Sequence, residues 1–471
     1  METRFRVASR SSSDVLEPSR DRNGWIRVFT KARVCVVLLC AFPLLLPIPA
    51  AANVVLTWNA NAGKAAIAAC ISPADDPLHE SRMYAMTHVA IHDALNAIER
   101  RSRPYAFHAS ADPWSSPDAA AAAAARDVLI TLIGEIPAPF PAVCVQNGIN
   151  SVEADYAAAL AAIPDGAPKT AGILIGQISA AAILAARVGD GSDTPLLDFA
   201  YSQGTEPGEW RFTPDLPFAF APGWGDVTPF VLRHASQFRP GPPYHVGSHK
   251  YTADFEEVKA LGGDGVITPT ARTAEQTEIG RFWIESSPLA WNRLARGVAT
   301  NQGLDAWESA RLFGLLNLAL ADGYIASWRA KFEYRFWRPV TAIRMADTDG
   351  NPNTDADPTW TPMQLTYPMP DHDSAHSVQG GAAAEVLKQF FGTDDIAFTA
   401  CSLTLPVGSR CTDPIPVLRS YGSFSEAAAE NAESRILIGI HFRRAVEEGI
   451  QHGRKIGKRT VKLFLRPTER W

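Results

Sequence analysis

Apolar residues recur every three to four positions along most of this 471-residue chain, and the two-residue alternation of half-buried strands is scarce. Helical spacing of this kind places the apolar side chains on one face, where they can pack against other helices. We therefore predict an all-α protein with few or no strands, built of two packed helical bundles. The helical patterns cover Glu80–Arg100, Asp118–Ile133, Ser151–Ile163, Thr170–Arg187, Thr273–Ile284, Asp305–Glu333, Ser377–Phe391 and Ser423–Leu465.

A run of seven alanines, Ala119–Ala125, lies inside one of these segments. Alanine has the highest helix propensity, and Asp118 and Arg126 carry the charges that suit the two ends of a helix. The run therefore predicts a tightly packed helix and not a low-complexity segment.

The periodicity is lost between residues 190 and 248, where proline, glycine and aromatic residues accumulate. A connection of that length is uncommon in a compact protein unless it covers a functional site or divides domains. We interpret it as a crossover between two helical bundles, with a domain linker as the alternative. Residues 53–471 are then one helical unit, with helices and the crossover in 53–248 and a second helical half in 249–471.

The first 52 residues have the pattern of an N-terminal extension followed by a secretory signal peptide. Basic residues precede the apolar run Val34–Leu46, and small residues up to Ala52 follow it. The run is shorter than the roughly 20 residues of a membrane span, and Pro43 and Pro47 interrupt it. We expect cleavage after Ala52, a secreted or periplasmic protein, and no stable membrane span once the signal is removed. An uncleaved N-terminal anchor is the alternative.

Composition and cysteine content narrow the class of protein. A hydrophobic fraction of 46% supports a large core, and a net charge of -6 argues against a nucleic-acid partner. Removal of the signal leaves an even number of cysteines, as is typical of exported proteins. We predict disulfides between Cys401 and Cys411, across a short loop, and by elimination between Cys70 and Cys144, with four buried thiols as the alternative.

Two clusters of residues carry the charge and geometry of an anion site. Lys331 and Arg338 lie seven positions apart, and Trp337 beside Arg338 favours an arginine placed for anion recognition. Ser374 is a natural N-cap for the helix that follows, and free amides at a helix start bind oxyanions, with His376 beside them. The alternatives are a solvated helix face and an ordinary capped helix.

A third cluster contains Arg435, Gly439 and His441. On an unbroken helix, residues six apart point about 120° away from each other, so Arg435 and His441 would not share a face. Gly439 suggests a break in the helix that would turn both side chains toward one point. A core histidine on a continuous helix is the alternative.

Together the clusters have the order Lys-x6-Arg-Pro, Ser-x-His and Ser-Arg-x5-His. This order resembles the signature shared by vanadium-dependent haloperoxidases and the type 2 phosphatidic acid phosphatase superfamily. The segments Met83–Ile98, Phe230–Gly262 and Phe336–Arg344 are similar to those of the bacterial haloperoxidases. The resemblance spans most of the chain beyond the signal and favours the haloperoxidase branch.

The resemblance implies vanadate as cofactor and residues 249–471 as the catalytic half. His441 would bond to vanadium, Lys331, Arg338 and Arg435 would neutralise the oxygens, and His376 would be the general acid and base. The Ser374 hydroxyl and the Ala375 amide would add hydrogen bonds. The substrates would be hydrogen peroxide and a halide, bromide in preference to chloride, and a homo-oligomer is left open.

The same residues could serve two other functions. One is a secreted acid phosphatase that hydrolyses a phosphate ester through a phosphohistidine at His441. The other is an inactive protein that only binds an oxyanion.

Three departures from the family pattern bear on the site. Asp373 and Ala375 replace the proline and glycine of Pro-Ser-Gly-His, and Met369 stands where chloride-oxidising relatives tend to carry an aromatic residue. A carboxylate at Asp373 would weaken anion binding unless it points away or pairs with a cation. His372 is an additional candidate for tuning the peroxide or halide site.

Two further motifs are expected to be structural. His88 and His92 lie one helical turn apart, but Val89 occupies the place of the glutamate in the zinc-protease motif. The loop Asp347–Pro358 lacks the glycine and glutamate of a calcium loop and is predicted to be a turn-rich connection.

Overall fold

Helices make up most of residues 53–137, 139–214 and 216–468, which the computed structural model describes. The all-α prediction is confirmed, since the strands in this part form only two short antiparallel pairs. The α-helices are α1 (Val54–Ala68), α2 (Pro77–Ile98), α3 (Pro117–Gly134), α4 (Ala142–Ala161), α5 (Ala167–Ala186), α6 (His249–Leu261), α7 (Ala274–Phe282), α8 (Ser287–Asn301), α9 (Ala306–Tyr334), α10 (Pro339–Arg344), α11 (Ala375–Phe391), α12 (Phe424–Leu437) and α13 (Arg443–Leu463). The strand pairs are β1 (Leu197–Asp198) with β2 (Ala219–Phe220), and β3 (Phe398–Ala400) with β4 (Arg419–Tyr421).

The helical pattern over Ser423–Leu465 forms two separate helices, α12 and α13. Between them Gly439 has a φ of +83°, and a Cβ there would lie 2.5 Å from the carbonyl oxygen of Gly262. Only glycine tolerates both conditions, so the break expected at Gly439 is confirmed.

Four helices are additional to the predicted set: α1, α6, α8 and α10. The six residues of α10 are fewer than two turns, too short to show a period. The 13-residue α6 buries only Tyr251, Asp254, Phe255 and Val258, so its apolar stripe is weak.

The helices pack in two groups that meet along α9. Helices α1 to α5 contact one another, α11 packs against α9, α12 and α13, and α9 also lies against α2. In the first group the alanine-rich run of α3 is completely buried, as predicted. Gly172 and Gly176 of α5 face it, and a Cβ on either would lie 2.3 Å from a carbonyl oxygen of the segment Ser116–Ala120. Small residues on both sides therefore let these two helices approach closely.

A similar close approach joins α11 to α13 in the second group. Gly449, Gly453 and Gly457 follow one side of α13, and a Cβ on Gly453 would lie 2.0 Å from the carbonyl oxygen of Val378. The start of α11 also lies against α13, since the amide of Ser374 donates to the carbonyl of Ala445 at 3.0 Å.

The long connection after α5 runs over α9 and is fixed to it. The buried carboxylate of Asp322 accepts hydrogen bonds of 2.6 to 2.8 Å from the amides of Phe230, Val231 and Leu232. Burial raises the pKa of Asp322 to about 6, while the three amides counteract that rise. The connection is thus an ordered part of the fold.

Both predicted disulfides are confirmed: Cys70 is bonded to Cys144, and Cys401 to Cys411. Among the described residues, α5 alone is long and apolar enough to cross a membrane by length and composition. One side of α5 packs against α3, as described above. The expected signal peptide lies outside the described residues.

Candidate functional site

Three cations occupy the interior of the second helical group, and no described carboxylate is in direct contact with any of them. Lys331 lies in the last turn of α9, Arg338 precedes α10, and Arg435 lies in the last turn of α12. Their exposed fractions are 0%, 1% and 0%. Within the described part of the chain, none of them has a carboxylate oxygen within 4.0 Å. Buried charges are costly, and the buried carboxylates of Asp371 and Asp373 only partly offset them from beyond contact distance, so this arrangement favours a bound anion.

Backbone carbonyls hold the cations in place. The Lys331 amine donates to the carbonyl oxygens of Pro370 and Asp371, at 3.0 Å each. Arg338 donates from Nε to the carbonyl of Met369 and from Nη1 to that of Ile440, both at 2.7 Å. Burial, with the charge of Arg338, lowers the pKa of Lys331 to about 7, and burial lowers that of Arg338 to about 10.

Arg435 keeps one donor that has no partner among the described residues. Its Nε donates to the Ser434 hydroxyl at 3.0 Å, and its Nη2 donates to the carbonyl of Trp283. Its Nη1 is buried and has no hydrogen-bond partner among the described residues. Burial lowers the pKa of Arg435 to about 10, so the guanidinium still carries its charge at neutral pH with a donor to spare.

His441 lies between the carboxylate of Asp371 and the guanidinium of Arg338. Its Nδ1 lies 2.8 Å from Oδ1 of Asp371, and its Nε2 lies 3.1 Å from Nη1 of Arg338. Burial and the charges of Arg338, Lys331 and Arg435 lower the pKa of His441 well below its ordinary value. The neutral ring therefore donates from Nδ1 to Asp371 and keeps a lone pair on Nε2, toward the cations.

The sequence prediction gave no role to Asp371, which the fold places directly behind His441. Burial raises the pKa of this carboxyl to about 7, while the charges of Arg338 and Lys331 act in the opposite direction. A carboxylate that fixes the tautomer of a ligating histidine is a common supporting contact in metal sites. An acidic residue three positions before Ser374 was the only sequence signal for it.

The start of α11 supplies the other polar groups. The structure corrects the prediction that the Ser374 side chain caps this helix: its hydroxyl accepts a hydrogen bond from the Ser377 hydroxyl at 3.0 Å and makes no capping bond. The Ser374 hydroxyl proton is thus left to donate elsewhere. The amide of Ala375 begins the helix and has no acceptor within it.

His376 is the second histidine at this helix start. Its Nε2 lies 3.2 Å from the carbonyl oxygen of Glu285, to which it donates, so Nδ1 keeps the lone pair. Burial and the charges of Arg435 and Lys331 lower the pKa of His376 well below its ordinary value. Both histidines are therefore neutral before an anion binds.

These groups converge on one cavity of about 390 Å³. Lys331, Arg338, Ala375, His376 and His441 form its polar floor. Ser374 and Arg435 do not line the cavity themselves, but Ser374 directly precedes Ala375 and the charge of Arg435 acts on both histidines. The fold thus brings together all the residues of the three sequence clusters.

Asp373 does not face the cavity, which answers the concern raised by its negative charge. Its carboxylate accepts hydrogen bonds from the Ser327 hydroxyl and from Nδ1 of His452, at 2.8 Å each. Burial alone would raise its pKa, but the charge and hydrogen bond of His452, with the charges of His372 and Lys331, hold the pKa below its ordinary value.

Met369 and His372 differ in their relation to the cavity. Met369 lines it, whereas His372 lies behind it, with its ring against Tyr334 and its Nε2 donating to the carbonyl of Gly241 at 2.7 Å. The position of His372 gives no support to a direct role at the peroxide or halide site.

The remaining motifs are structural, as expected. His88 lies 2.7 Å from the side-chain amide of Asn59, and His92 lies between Asp93 and Ser102. In the Asp347–Pro358 loop, side chains such as Asn351 bond to nearby backbone groups and to Thr252. Among the described residues no cluster of histidine, cysteine, aspartate or glutamate has the arrangement of a metal site.

The donor set fits a tetrahedral or bipyramidal oxyanion such as vanadate or phosphate. Among the described residues, the buried Nη1 of Arg435 has no hydrogen-bond partner and no carboxylate oxygen lies within 4.0 Å of the three cations, whereas the Ala375 amide and the Ser374 hydroxyl can donate. An oxyanion would satisfy these groups together, and the Nε2 lone pair of His441 would face its central atom.

Comparison with known sequences finds a match for the C-terminal third of the chain. Residues 311–470 match the family model of the VCPO second helical-bundle domain. A vanadium chloroperoxidase of Curvularia inaequalis is 27% identical over 289 residues, which cover 49% of this chain and 47% of that protein. The match therefore spans about half the length of this curated relative.

Solved structures extend the likeness to nearly the whole fold. A bacterial vanadium-dependent iodoperoxidase superposes with a TM-score of 0.71 at 24% identity, covering 88% of this chain and 97% of the other. A bacterial vanadium-dependent chloroperoxidase in its holo form superposes with a TM-score of 0.66 at 17% identity, covering 85% and 94%. The resemblance found in the sequence is confirmed at the level of the fold and of the second helical bundle.

Proposed function

For a chain with the fold of the vanadium-dependent haloperoxidases, we propose that the protein binds vanadate and oxidises a halide with hydrogen peroxide to hypohalous acid. The observation that carries the proposal is the site at the start of α11. In the part of the chain that the structure describes, three buried cations with no carboxylate within 4.0 Å lower the pKa values of two neutral histidines there. The choice of vanadate over phosphate rests on the similarity to vanadium-dependent haloperoxidases, because the anion site by itself would also accept phosphate.

The residues that would hold vanadate follow from their free donors. Lys331, Arg338 and Arg435 would neutralise its oxygens, and the Ser374 hydroxyl and Ala375 amide would donate hydrogen bonds. The Nε2 lone pair of His441 would bind the metal. When bound, vanadate would supply a Lewis-acidic centre that activates hydrogen peroxide toward halide.

The two histidines would have separate tasks. Asp371 keeps the proton of His441 on Nδ1, so the ring stays neutral and oriented. His376, whose Nε2 donates to the Glu285 carbonyl, has Nδ1 available to accept a proton from hydrogen peroxide and to return one to departing water. The negative charge of a bound oxyanion would favour the protonated form that this exchange requires.

Bromide is the halide we propose. Met369 lines the cavity where chloride-oxidising relatives tend to carry an aromatic side chain. Chloride is harder to oxidise than bromide. Because the site has Met369 in place of that aromatic residue, we assign bromide as its substrate. This choice concerns the halide alone and leaves the peroxide chemistry unchanged.

Export of the protein is also proposed. The two disulfides, Cys70 to Cys144 and Cys401 to Cys411, are typical of proteins that fold in an oxidising compartment. The basic and apolar pattern of the first 52 residues supports the same conclusion. Fractionation of the producing cells, with detection of the chain outside the cytoplasm, tests it.

The deciding experiment measures halogenation and phosphate-ester hydrolysis on the same preparation. The protein, supplied with orthovanadate, hydrogen peroxide and bromide, is expected to brominate a cyclic dione indicator, and omission of any one component should abolish the reaction. His376→Ala should lower the rate by roughly 10²- to 10⁴-fold. The exposed variant Asp395→Asn is the control and should keep the full rate.

Two other outcomes would replace the proposal. Hydrolysis of 4-nitrophenyl phosphate without halogenation would assign the protein to the phosphatases. Tight vanadate binding with neither activity would leave an inactive oxyanion-binding protein.

A further inference from the structure

The second half of α13 and the residues after it carry positive charge that the anion site does not use. Residues 451–468 contain six lysines and arginines and no aspartate or glutamate, whereas the whole chain has a net charge of -6. A local excess of one charge attracts partners of the opposite charge. The six residues form the basic stripe: Arg454, Lys455, Lys458, Arg459, Lys462 and Arg466.

Helix geometry places the five helical members of the stripe on one side of α13. At about 100° per residue they cover an arc of about 140°, and Arg454 and Lys462 lie about 12 Å apart along the axis. The lysines of the stripe are exposed, and its two helical arginines are half-buried. The opposite side of the helix, which includes Ile456 and Thr460, is buried. The stripe therefore faces solvent.

The cations of the stripe are not in ion pairs. Among the described residues none of them has a carboxylate oxygen within 4.0 Å, whereas Arg443 and Arg444 at the start of the same helix pair with glutamates. Arg459 is fixed at the edge of the stripe, because its Nε donates to the carbonyl of Val231 at 2.8 Å. The charge of the stripe is thus available to a partner.

Neighbouring segments add positive charge to the same surface. The amide of Arg103 donates to the carbonyl of Arg466 at 2.8 Å, and the Arg103 side chain is exposed. Arg233, also exposed, follows Val231 by two positions in the loop that holds Arg459. The basic surface therefore extends beyond α13 at both of these contacts.

The acids that border this surface are already engaged. Glu385 of α11, which packs against α13, accepts a hydrogen bond from the side chain of Gln389 at 2.5 Å. Near the far end of the stripe, Glu99 and Asp305 both pair with Arg101. These contacts leave the stripe most of its positive charge.

We propose that the basic stripe binds a linear acidic polysaccharide outside the cytoplasm. The carboxylate or sulfate groups of such a polymer pair with lysine and arginine, and many weak contacts of this kind add up along a chain. No covalent bond is made or broken. The inference rests on the export proposed above and not on the oxidation of halide.

The shape of the stripe favours a chain over a membrane surface. Cations spread over about 140° of a helix point in different directions, so a flat surface reaches only some of them and a flexible chain reaches them all. A basic helix that lies on a membrane also buries an apolar face in it. The apolar side of α13 is packed against α11, and Leu463, 44% exposed, is a single apolar side chain at the end of the helix.

A charged and an uncharged form of one polymer test the proposal. We expect the full chain, without vanadate, to bind dextran sulfate in calorimetry and not to bind dextran. Raising the salt concentration from about 50 mM to about 200 mM should weaken binding at least about tenfold, because charge pairs carry it. Equal binding of dextran, or an affinity that salt leaves unchanged, would overturn the proposal.

Paired variants separate the stripe from the overall charge of the protein. Lys458→Gln with Lys462→Gln should weaken dextran sulfate binding at least about fivefold and make its salt dependence shallower. Lys64→Gln with Arg281→Gln removes the same charge from exposed positions on α1 and α7 and should change the affinity less than about twofold. Equal losses in the two double variants would show that no local site exists.

Vesicles of phosphatidylcholine and phosphatidylglycerol test the membrane in place of the polysaccharide. We expect the chain to bind dextran sulfate more tightly than these vesicles at equal concentrations of negative charge. Tighter binding to the vesicles would overturn the polysaccharide and assign a membrane surface. Retention of the chain in the cytoplasm of fractionated cells would overturn the extracellular partner, and loss of halide oxidation alone would leave this inference standing.

Discussion

Asp373 and His452 form a buried pair behind the anion site, with Oδ2 of the carboxylate 2.8 Å from Nδ1 of the ring. Both side chains are at most 1% exposed, and Ser327 donates a second hydrogen bond to the carboxylate. A proline, which the pattern that this site resembles has at this position, could not form the pair. The pair ties the loop before α11 to α13 and keeps a negative charge away from the cavity.

Loss of this pair should destabilise the fold. Asp373→Asn leaves His452 without its acid, and removal of one partner of a buried pair costs about 3 kcal/mol of unfolding free energy. Urea unfolding of Asp373→Asn, of His452→Gln and of the double variant measures the coupling. The double variant should lose much less than the sum of the two single losses. Strictly additive losses would mean that the two side chains do not stabilise each other.

Asp371 has two opposing effects on vanadate affinity, because its carboxylate carries a negative charge and also orients the ring of His441. Asp371→Ala removes a negative charge, which alone would strengthen anion binding, but it also frees the ring of His441. We expect orientation to dominate, so vanadate affinity should fall about 10- to 100-fold. Asp371→Asn, which can still accept the hydrogen bond, should lose less. Tighter binding of vanadate by Asp371→Ala, followed by vanadium-51 resonance, would show that charge outweighs orientation.

Anion affinity should fall as pH rises above neutrality. The pKa of Lys331 is lowered to about 7 by burial and Arg338, so above pH 7 the amine is neutral until an anion binds and a proton is taken up. Affinity should then drop roughly tenfold per pH unit. Burial raises the pKa of Asp371 to about 7. This carboxyl therefore becomes negatively charged over the same pH range, which also lowers anion affinity.

Sulfate is the appropriate probe for this dependence, because its own charge is constant between pH 6 and 9. Lys331→Met should bind sulfate weakly at pH 6 and show a shallower slope above pH 7. Lys388→Met, an exposed position on α11, should behave as the unaltered protein does. A slope that Lys331→Met leaves unchanged would assign the titration to Asp371.

Two glycines should respond oppositely to the same substitution. Gly453→Ala would place a Cβ 2.0 Å from the Val378 carbonyl oxygen, so α11 and α13 must separate and the folded yield should collapse. Gly297→Ala, in α8, meets nothing within 4 Å and should stabilise the protein by about 0.5–1 kcal/mol, because alanine favours the helix. Thermal unfolding of both variants checks the pair, and a well-folded Gly453→Ala protein would refute the close contact.

Local features of the site could be predicted from the sequence. The helix start at Ser374, the break at Gly439 and the types of the anion-binding residues depend on neighbours a few positions away. The alanine-rich α3 and the Cys401–Cys411 disulfide belong to the same class, because helix propensity and a short loop determine them. Helix boundaries were less certain, since packing decides where the last turns end.

Contacts between distant segments could not be predicted. Asp371 and His441 are 70 residues apart, and Asp373 and His452 are 79 apart. Nothing in the local pattern around Asp373 says whether its carboxylate faces a bound anion or the interior of α13. The capping role expected for the Ser374 side chain was wrong for a local reason instead, since its hydroxyl accepts a hydrogen bond from the Ser377 hydroxyl three positions later.

The sequence by itself therefore determined the helical class, the cations and histidines of the site and the backbone break that orients two of them. The tertiary structure decided which carboxylate supports His441 and which one is turned away. The physical reason is that helix propensity and turn geometry are local free energies. The direction of a buried side chain is set instead by partners that only the packed helices bring within hydrogen-bond distance.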